Sequence, residues 1–403
     1  MDRRKFLSIA AISASTVPGC LSLISASHSD RPLPDVPTGA WTQYGANEEN
    51  TFTTNVSAPS QGNLAWVSDA FTRWQPVVSD GTVYMTNFDP SLDGSAIALD
   101  AKDGTEQWRT TLNASGENGS VLVDDLFIVA YDTELAALDS KTGERVWTKT
   151  TNGIDFSEQI VADETTGVVL VASDDGIEAF EAVTGEKRWE TNTVRRPNLA
   201  PAVYDGRVFA VENVDEAPSL VAISMEDSSE RWRSELTSAP ESAAPVATQD
   251  GVIVDDAHTL VVYNRETGDQ RRELYSFGEG TYDAPRTVAV DDGTVFATNE
   301  SRAVALDSET GTERWRRDAP SYDHGICIGA ETVVVPVDDP EFSPRKKTIT
   351  ALDRESGERR WRYALDRGHH VLVPPVLVDG AVFFSDPTID GLAALGDVPP
   401  QDS

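Results

Sequence analysis

Ala98-Leu99-Asp100-Ala101-Lys102-Asp103-Gly104-Thr105-Glu106-Gln107-Trp108 reads as a strand, a turn and a second strand, and the chain repeats it. Clear copies are Ala137-Leu138-Asp139 with Gly143 and Trp147, Ala305-Leu306-Asp307 with Gly311 and Trp315, and Ala351-Leu352-Asp353 with Gly357 and Trp361. Worn copies are Ala179-Phe180-Glu181 with Gly185 and Trp189, Ala222-Ile223-Ser224 with Trp232, and Val262-Tyr263-Asn264 with Gly268 and, where the Trp belongs, Arg272. The third residues fall at 100, 139, 181, 224, 264, 307 and 353, a period of 39 to 46 residues. That period, carrying strand and turn signals, marks a β-propeller.

In the first copy two half-buried strands, 96–100 and 105–109, flank a reversal where Gly104 supplies the positive φ the turn needs. The Asp side chain bonds backbone amides two residues on. The Trp is expected to end the outer strand and cover the gap between adjacent sheets, so Trp66, Trp108, Trp147, Trp189, Trp232, Trp315 and Trp361 form a structural girdle. Before each phrase lies an inner hairpin, such as Pro76-Val77-Val78, Asp80-Gly81 and Val83-Tyr84-Met85. Each unit therefore has four strands.

The last unit begins at Val376 and reaches Ala394-Leu395-Gly396 with no Gly turn or Trp after it. Gly62-Asn63-Leu64-Ala65-Trp66 supplies that missing piece one period before Trp108. The expected fold is all-β: an eight-bladed β-propeller of four-stranded antiparallel blades over residues 41–396, closed by the N-terminal strand, with 397–403 a short tail.

Residues 1–19 read as an address. Arg3, Arg4, Phe6 and Leu7 make a twin-arginine (Tat) export signal, the apolar stretch after them is too short to span a bilayer, and Val17-Pro18-Gly19-Cys20 is a lipobox. The expectation is Tat export, lipid attachment at Cys20 and residence on the outer face of the cytoplasmic membrane. Residues 20–40, rich in Ser and Pro, read as a lipidated flexible tether.

Sixty-seven acidic residues against 33 basic leave a formal charge of −34, with the acids spread along the whole chain. Self-repulsion on that scale is tolerable where molar salt shortens screening, which points to a halophilic archaeon and an exported monomer. It excludes nucleic acid, which needs a basic face. Of two cysteines, Cys20 belongs to the lipobox and Cys327 sits in an apolar inner strand as a small core residue. No CxxCH or CxxC motif is present.

The repeated A-L-D-x-x-T-G-x-x-x-W resembles that of the pyrroloquinoline quinone (PQQ) quinoprotein superfamily. Its members include PQQ alcohol dehydrogenases and the bacterial outer-membrane assembly lipoprotein, which shares the propeller and binds no quinone. The resemblance covers Trp41 to Gly396, and Trp41-Thr42-Gln43-Tyr44-Gly45 followed by Asn50-Thr51 resembles the start of exported PQQ-repeat lipoproteins. It implies that a quinone enzyme would hold PQQ between a Trp and a disulfide of adjacent cysteines, beside calcium bound by a Glu, an Asn and a catalytic Asp. This chain has no adjacent cysteines, and Asp338-Asp339 with Glu341 reads as an acidic loop. The expectation is therefore no PQQ, no calcium, no metal site and no catalytic residue: a cell-surface scaffold that binds a protein partner or ligand on one propeller face. The alternatives are a PQQ-dependent dehydrogenase and a solute- or polysaccharide-binding lipoprotein. The assembly lipoprotein's own role does not transfer to an archaeon, which lacks the outer membrane.

Segments joining each Trp strand to the next inner strand emerge on one face at the channel mouth, where loops are free to carry function. They hold the candidate binding residues Trp74, Arg195, Arg196, Asn198, Tyr282, Tyr322, His324, His369 and His370, with Phe156 and Asp323 beside them. The competing reading is that polar channel groups merely solvate a water-filled tunnel. The three histidines lack a carboxylate at a metal-binding spacing.

Overall fold

Hairpin follows hairpin in the computed structural model, which describes residues 31–87, 94–112, 118–152, 160–173, 175–197, 199–214, 217–278, 280, 283–319, 325–342, 346–365, 373–386 and 391–400. Thirty-two strands form eight antiparallel four-stranded sheets, the blades of an eight-bladed propeller. Blade 1 comprises Val77–Ser79, Thr82–Asn87, Ser95–Asp100 and Glu106–Thr111, from axis to rim. The innermost strands of blades 2 to 8 are Asn118–Val123, Ile160–Asp163, Ala202–Tyr204, Val246–Thr248, Thr287–Asp291, Cys327–Ile328 and Val376–Val378.

The two central strands of a blade are buried on both faces and are built of Val, Ala, Ile and Leu, while the rim strand buries little beyond its Trp. The turn chemistry is as the sequence implies. Asp139 Oδ1 accepts from Lys141 N (3.1 Å), Thr142 N (2.8 Å) and Thr142 Oγ1 (2.9 Å), and Gly143 stands at φ +70°. In blades 6 and 7 an arginine from the rim strand joins in. Arg314 on Asp307 and Arg360 on Asp353 hold those carboxyls down at about 2.

Each girdle Trp sits inside its rim strand, not at its end as expected: Trp108 lies opposite Ala98 within Glu106–Thr111. From there the indole crosses to the next blade. The N–H donors of Trp66, Trp108, Trp147, Trp189, Trp232 and Trp315 reach the carbonyls of Ala101, Ser140, Ala182, Met225, Arg265 and Arg354 at 2.8 to 3.2 Å, and Trp361 reaches Pro59 at 2.5 Å. The rings lie on turn glycines, Trp66 on Gly104, Trp108 on Gly143 and Trp361 on Gly62, so closely that a Cβ there would overlap the ring. Where Arg272 replaces the Trp, its Nη2 donates to Ser308 O at 2.6 Å, the carbonyl that an indole would have met.

Asn63–Val67 completes blade 8 by pairing with Gly391–Gly396, Leu64 opposite Leu395 and Trp66 opposite Ala394. The segment before it does more than lead in. Residues 38–57 run as a strap round the axis and touch every blade. Trp41 exchanges two hydrogen bonds with Val78, and the carbonyls of Thr42, Glu48, Glu49, Thr51 and Phe52 accept from Leu122, Val203, Ala247, Val290 and Ile328. Gln43 bonds Ala162 through both ends of its amide, and Thr38 and Ser57 accept from Asp379 and Gly380 of blade 8. Asn50 Nδ2 reaches Pro201 O and Pro245 O at 3.2 and 3.1 Å. Trp41, Gln43, Asn50 and Phe52 are each no more than 2% exposed and occupy this end of the axis.

The stretch expected to be a free tether up to residue 40 is docked from Arg31 onward. Arg31 N–H donates to Ala65 O and Leu33 N–H to Lys102 O, and Leu33 is buried against Gly396. Burying one leucine contributes about 2 kcal/mol toward holding this extended segment, beside its backbone hydrogen bonds. Residues 1–30 and the tail from 401 lie outside the described residues.

Candidate functional site: the two faces of the ring

Strands alternate in direction, so one face of the ring carries the tight inner turns and the Asp-to-Gly turns, and the other carries the long connections between blades. The strap lies on the first face; of the candidate residues, the described ones, Trp74, Arg195 and Arg196, lie on the second.

Asn198, Tyr282, Tyr322, His324, His369 and His370 fall outside the described residues, as do Phe156, Asp323, Cys20, Arg3, Arg4, Phe6 and Leu7. Trp74, in the connection into blade 1, is half-buried, and its Nε1 is buried with no hydrogen-bond partner among the described residues. Arg195, in the connection into blade 4, is an anchor. Its Nη2 and Nε meet Glu212 at 2.9 and 3.2 Å, its own amide N–H donates to the same carboxylate at 3.0 Å, and Arg233 shares it at 2.9 Å. Glu212 is 1% exposed, and a buried carboxylate with two guanidinium partners fixes the loop in place. Arg196 is exposed at φ +51°. The structure therefore places Trp74 and Arg195 on different joints of the ring and does not gather them.

The same face holds Asp255, at 3% exposure and with Oδ1 lacking a hydrogen-bond partner among the described residues. Burial, opposed by His258 nearby, pushes its carboxyl up to about 7. The acidic loop expected at Asp338-Asp339 and Glu341 is instead a tied strand end. Lys347 meets Asp338 at 3.1 Å, Arg362 binds Asp339, and Arg359 and Arg362 meet Glu341 at 3.0 and 2.8 Å. Cations of the chain satisfy these acids, which is why they do not behave as a loop.

Cys327 is fully buried in the innermost strand of blade 7, its thiol donating to Pro375 O at 2.8 Å, and burial raises its pKa well above the usual thiol range. Among the described residues no group of three His, Cys, Asp or Glu side chains is arranged to hold a metal ion.

The strap face was not singled out from the sequence. Here Glu48 and Glu49 of the strap stand beside Asp163 over a cavity of about 550 Å³. Burial pushes the Glu48 carboxyl up to about 7 and raises Glu49, and the acids around them, Asp163 and Glu164, push the same way. The one signal for this face was the non-repeating Trp41 to Thr51 run, which lacks the period that identified everything else.

A family profile described as outer membrane protein assembly factor BamB matches residues 53–158 and 151–363. The serine/threonine-protein kinase AfsK of Streptomyces coelicolor is 26% identical over 160 residues, 38% of this chain, and the match spans only 18% of that protein's length. Among solved structures, quinohemoprotein alcohol dehydrogenase from Comamonas testosteroni superposes with a TM-score of 0.67 at 13% identity, covering 90% of this chain and 82% of that one. BamB from Moraxella catarrhalis gives 0.51 at 14% identity, covering 68% of this chain and 95% of its own. At these identities the two structures speak to the fold.

Proposed function

Because this chain belongs to the PQQ-like repeat family described as outer membrane protein assembly factor BamB, we propose that it is a non-catalytic scaffold that binds a partner. It would be exported by the twin-arginine route and held by a lipid on Cys20 at the outer face of the cytoplasmic membrane. The observation that carries the non-catalytic reading is the use the chain makes of its axis. The strap fills one end with Trp41, Gln43, Asn50 and Phe52, and spends the amides of Gln43 and Asn50 on backbone groups of blades 3 to 5.

Two features of the described residues support the reading without a quinone. A PQQ site of the resembling enzymes needs adjacent cysteines, whereas Cys327 has no neighbouring cysteine and is core. The most acidic run, Asp338 to Glu341, is neutralised by Lys347, Arg359 and Arg362. The dehydrogenase reading keeps one specific support, the unpartnered indole of Trp74 on the connection face.

Incubation of the purified protein with PQQ and calcium in high salt separates the two. The scaffold reading expects no saturable quinone absorbance and no dye-linked alcohol or sugar oxidation. Stoichiometric PQQ uptake lost in Trp74→Ala would overturn it in favour of the dehydrogenase. For the anchor, Cys20→Ser should move the protein from the membrane fraction to the soluble one.

A further inference from the structure

The chain itself fills one of the grooves that run from rim to hub across the strap face. Arg31-Pro32-Leu33-Pro34-Asp35-Val36-Pro37-Thr38 lies between blades 8 and 1. Going inward, Arg31 N–H meets Ala65 O, Leu33 N–H meets Lys102 O, Val36 sits on Gly81, and Thr38 O accepts from Asp379 N. Three prolines in eight residues keep such a segment extended and lower the entropy lost on docking.

The repeat gives these landmarks counterparts between blades 3 and 4. Arg188 precedes Trp189 as Ala65 precedes Trp66, Glu226 follows Ser224 as Lys102 follows Asp100, and Asp205-Gly206 is the inner turn that Asp80-Gly81 is in blade 1. Here no described segment lies in the groove. A Cβ at Gly206 would meet nothing within 4 Å, whereas one at Gly81 would strike Val36. Two cavities, of about 730 Å³ toward the rim and about 550 Å³ toward the hub, meet at Thr166, Asp205 and Gly206, the hub one reaching on to Gln249 and Arg265 of blade 5.

Its ends differ in charge. Arg188, Arg207 and Arg231 line the rim cavity together with Asp205 and Glu226, and among the described residues Arg231 meets only Asp227, at 4.0 Å. Four acids, Glu48, Glu49, Asp163 and Asp205, against one base, Arg265, line the hub cavity. Where Leu33 finds an apolar seat against Gly396, the corresponding blade 3 residue is Glu181, bound by Arg188. This groove is therefore shaped like the filled one and polar where that one is apolar.

We propose that the groove between blades 3 and 4 binds an extended, proline-bearing segment of a partner polypeptide. The segment lies rim to hub as residues 31–38 lie between blades 8 and 1, with an acidic side chain against Arg231 and a basic one against Glu48 and Glu49. Backbone contacts to the turns hold the segment, and the end charges set its direction. The inference goes beyond the scaffold reading and needs neither the lipid nor the axis.

The probes are two labelled eight-residue peptides, EPLPSVPK and its charge-reversed form KPLPSVPE, titrated by fluorescence anisotropy onto the full chain in the salt that keeps it folded. The first should bind one to one and at least tenfold more tightly than the second. Arg231→Glu and Glu48→Lys should each weaken it at least tenfold, and the double variant should prefer the reversed peptide, a reversal that misfolding cannot produce. Absence of saturable binding to the unsubstituted protein, or affinities that ignore both substitutions, would overturn the proposal. Neither result bears on PQQ uptake or membrane fractionation, so the scaffold reading stands or falls separately.

Discussion

Gly143 and Gly206 share a backbone conformation, φ +70° and +71°, and differ in what surrounds them. Trp108 lies on the first, and nothing lies on the second. Gly206→Ala should therefore cost only the left-handed penalty, ~1 kcal/mol, while Gly143→Ala adds ~2 kcal/mol for displacing a packed ring. Equal losses in chemical denaturation would mean that the girdle glycines are turn residues and nothing more. Asp255 gives a second residue-scale test. Its folded pKa of about 7 lies above the ordinary carboxylate value, so the folded state holds the proton more tightly than the unfolded chain does. Its contribution is then least unfavourable below pH ~4 and is lost progressively as pH rises from ~4 to ~7. Asp255→Asn, which cannot ionise, should match the parent at acid pH and exceed it by roughly 2–4 kcal/mol at pH 8. A difference between the two that does not change with pH would refute a buried, protonatable Asp255.

Among the elements, the docked segment 31–38 and the strap with its closing strand make separable contributions. A chain beginning at residue 31 should melt like the full protein. One beginning at 39 loses Leu33 and should fall by a few degrees, since ~2 kcal/mol divided by the large unfolding entropy of a ring this size gives a small shift in midpoint. One beginning at 68 lacks both the strap and Asn63–Val67, exposes the edge of Gly391–Gly396, and should unfold or oligomerise. Indistinguishable midpoints for the starts at 39 and 68 would contradict the closure. The blades, the girdle and this closure were legible in the sequence because a hairpin announces itself by a local pattern and a ring repeats that pattern. The strap was not legible. Trp41, Gln43 and Asn50 each meet a different blade through backbone groups that no side-chain period records. The docking of Arg31 to Thr38 was hidden for a related reason: Ser and Pro suggest a loose linker, and the leucine that seats it is a single residue. Arg195 was noticed and its task was not, because Glu212, the carboxylate it anchors to, lies 17 positions away.

Taken whole, the molecule balances short-range attraction against long-range repulsion. Ion pairs such as Arg314 with Asp307 at 2.9 Å operate inside the Debye length even of molar salt, roughly 3 Å, whereas the −34 net charge acts over tens of ångströms and is muted only when salt is high. On dilution to ~0.1 M, where the screening length reaches about 10 Å, the melting midpoint should drop sharply, and divalent or molar monovalent salt should restore it. Circular dichroism melts that coincide in dilute and molar salt would show that the acids serve another end. The strap and the closing strand also impose an order in time. Every partner they need, from Val78 to Gly396, is made after them, and the final partner of Asn63–Val67 is the last strand of the ring to emerge from the ribosome. Until then Asn63–Val67 waits without its partner strand, and the nascent protein is an open arc. Translation that stalls a dozen residues before Gly396 yields an unfastened arc, not a slightly smaller ring, so one late pairing event separates a finished molecule from an unfinished one.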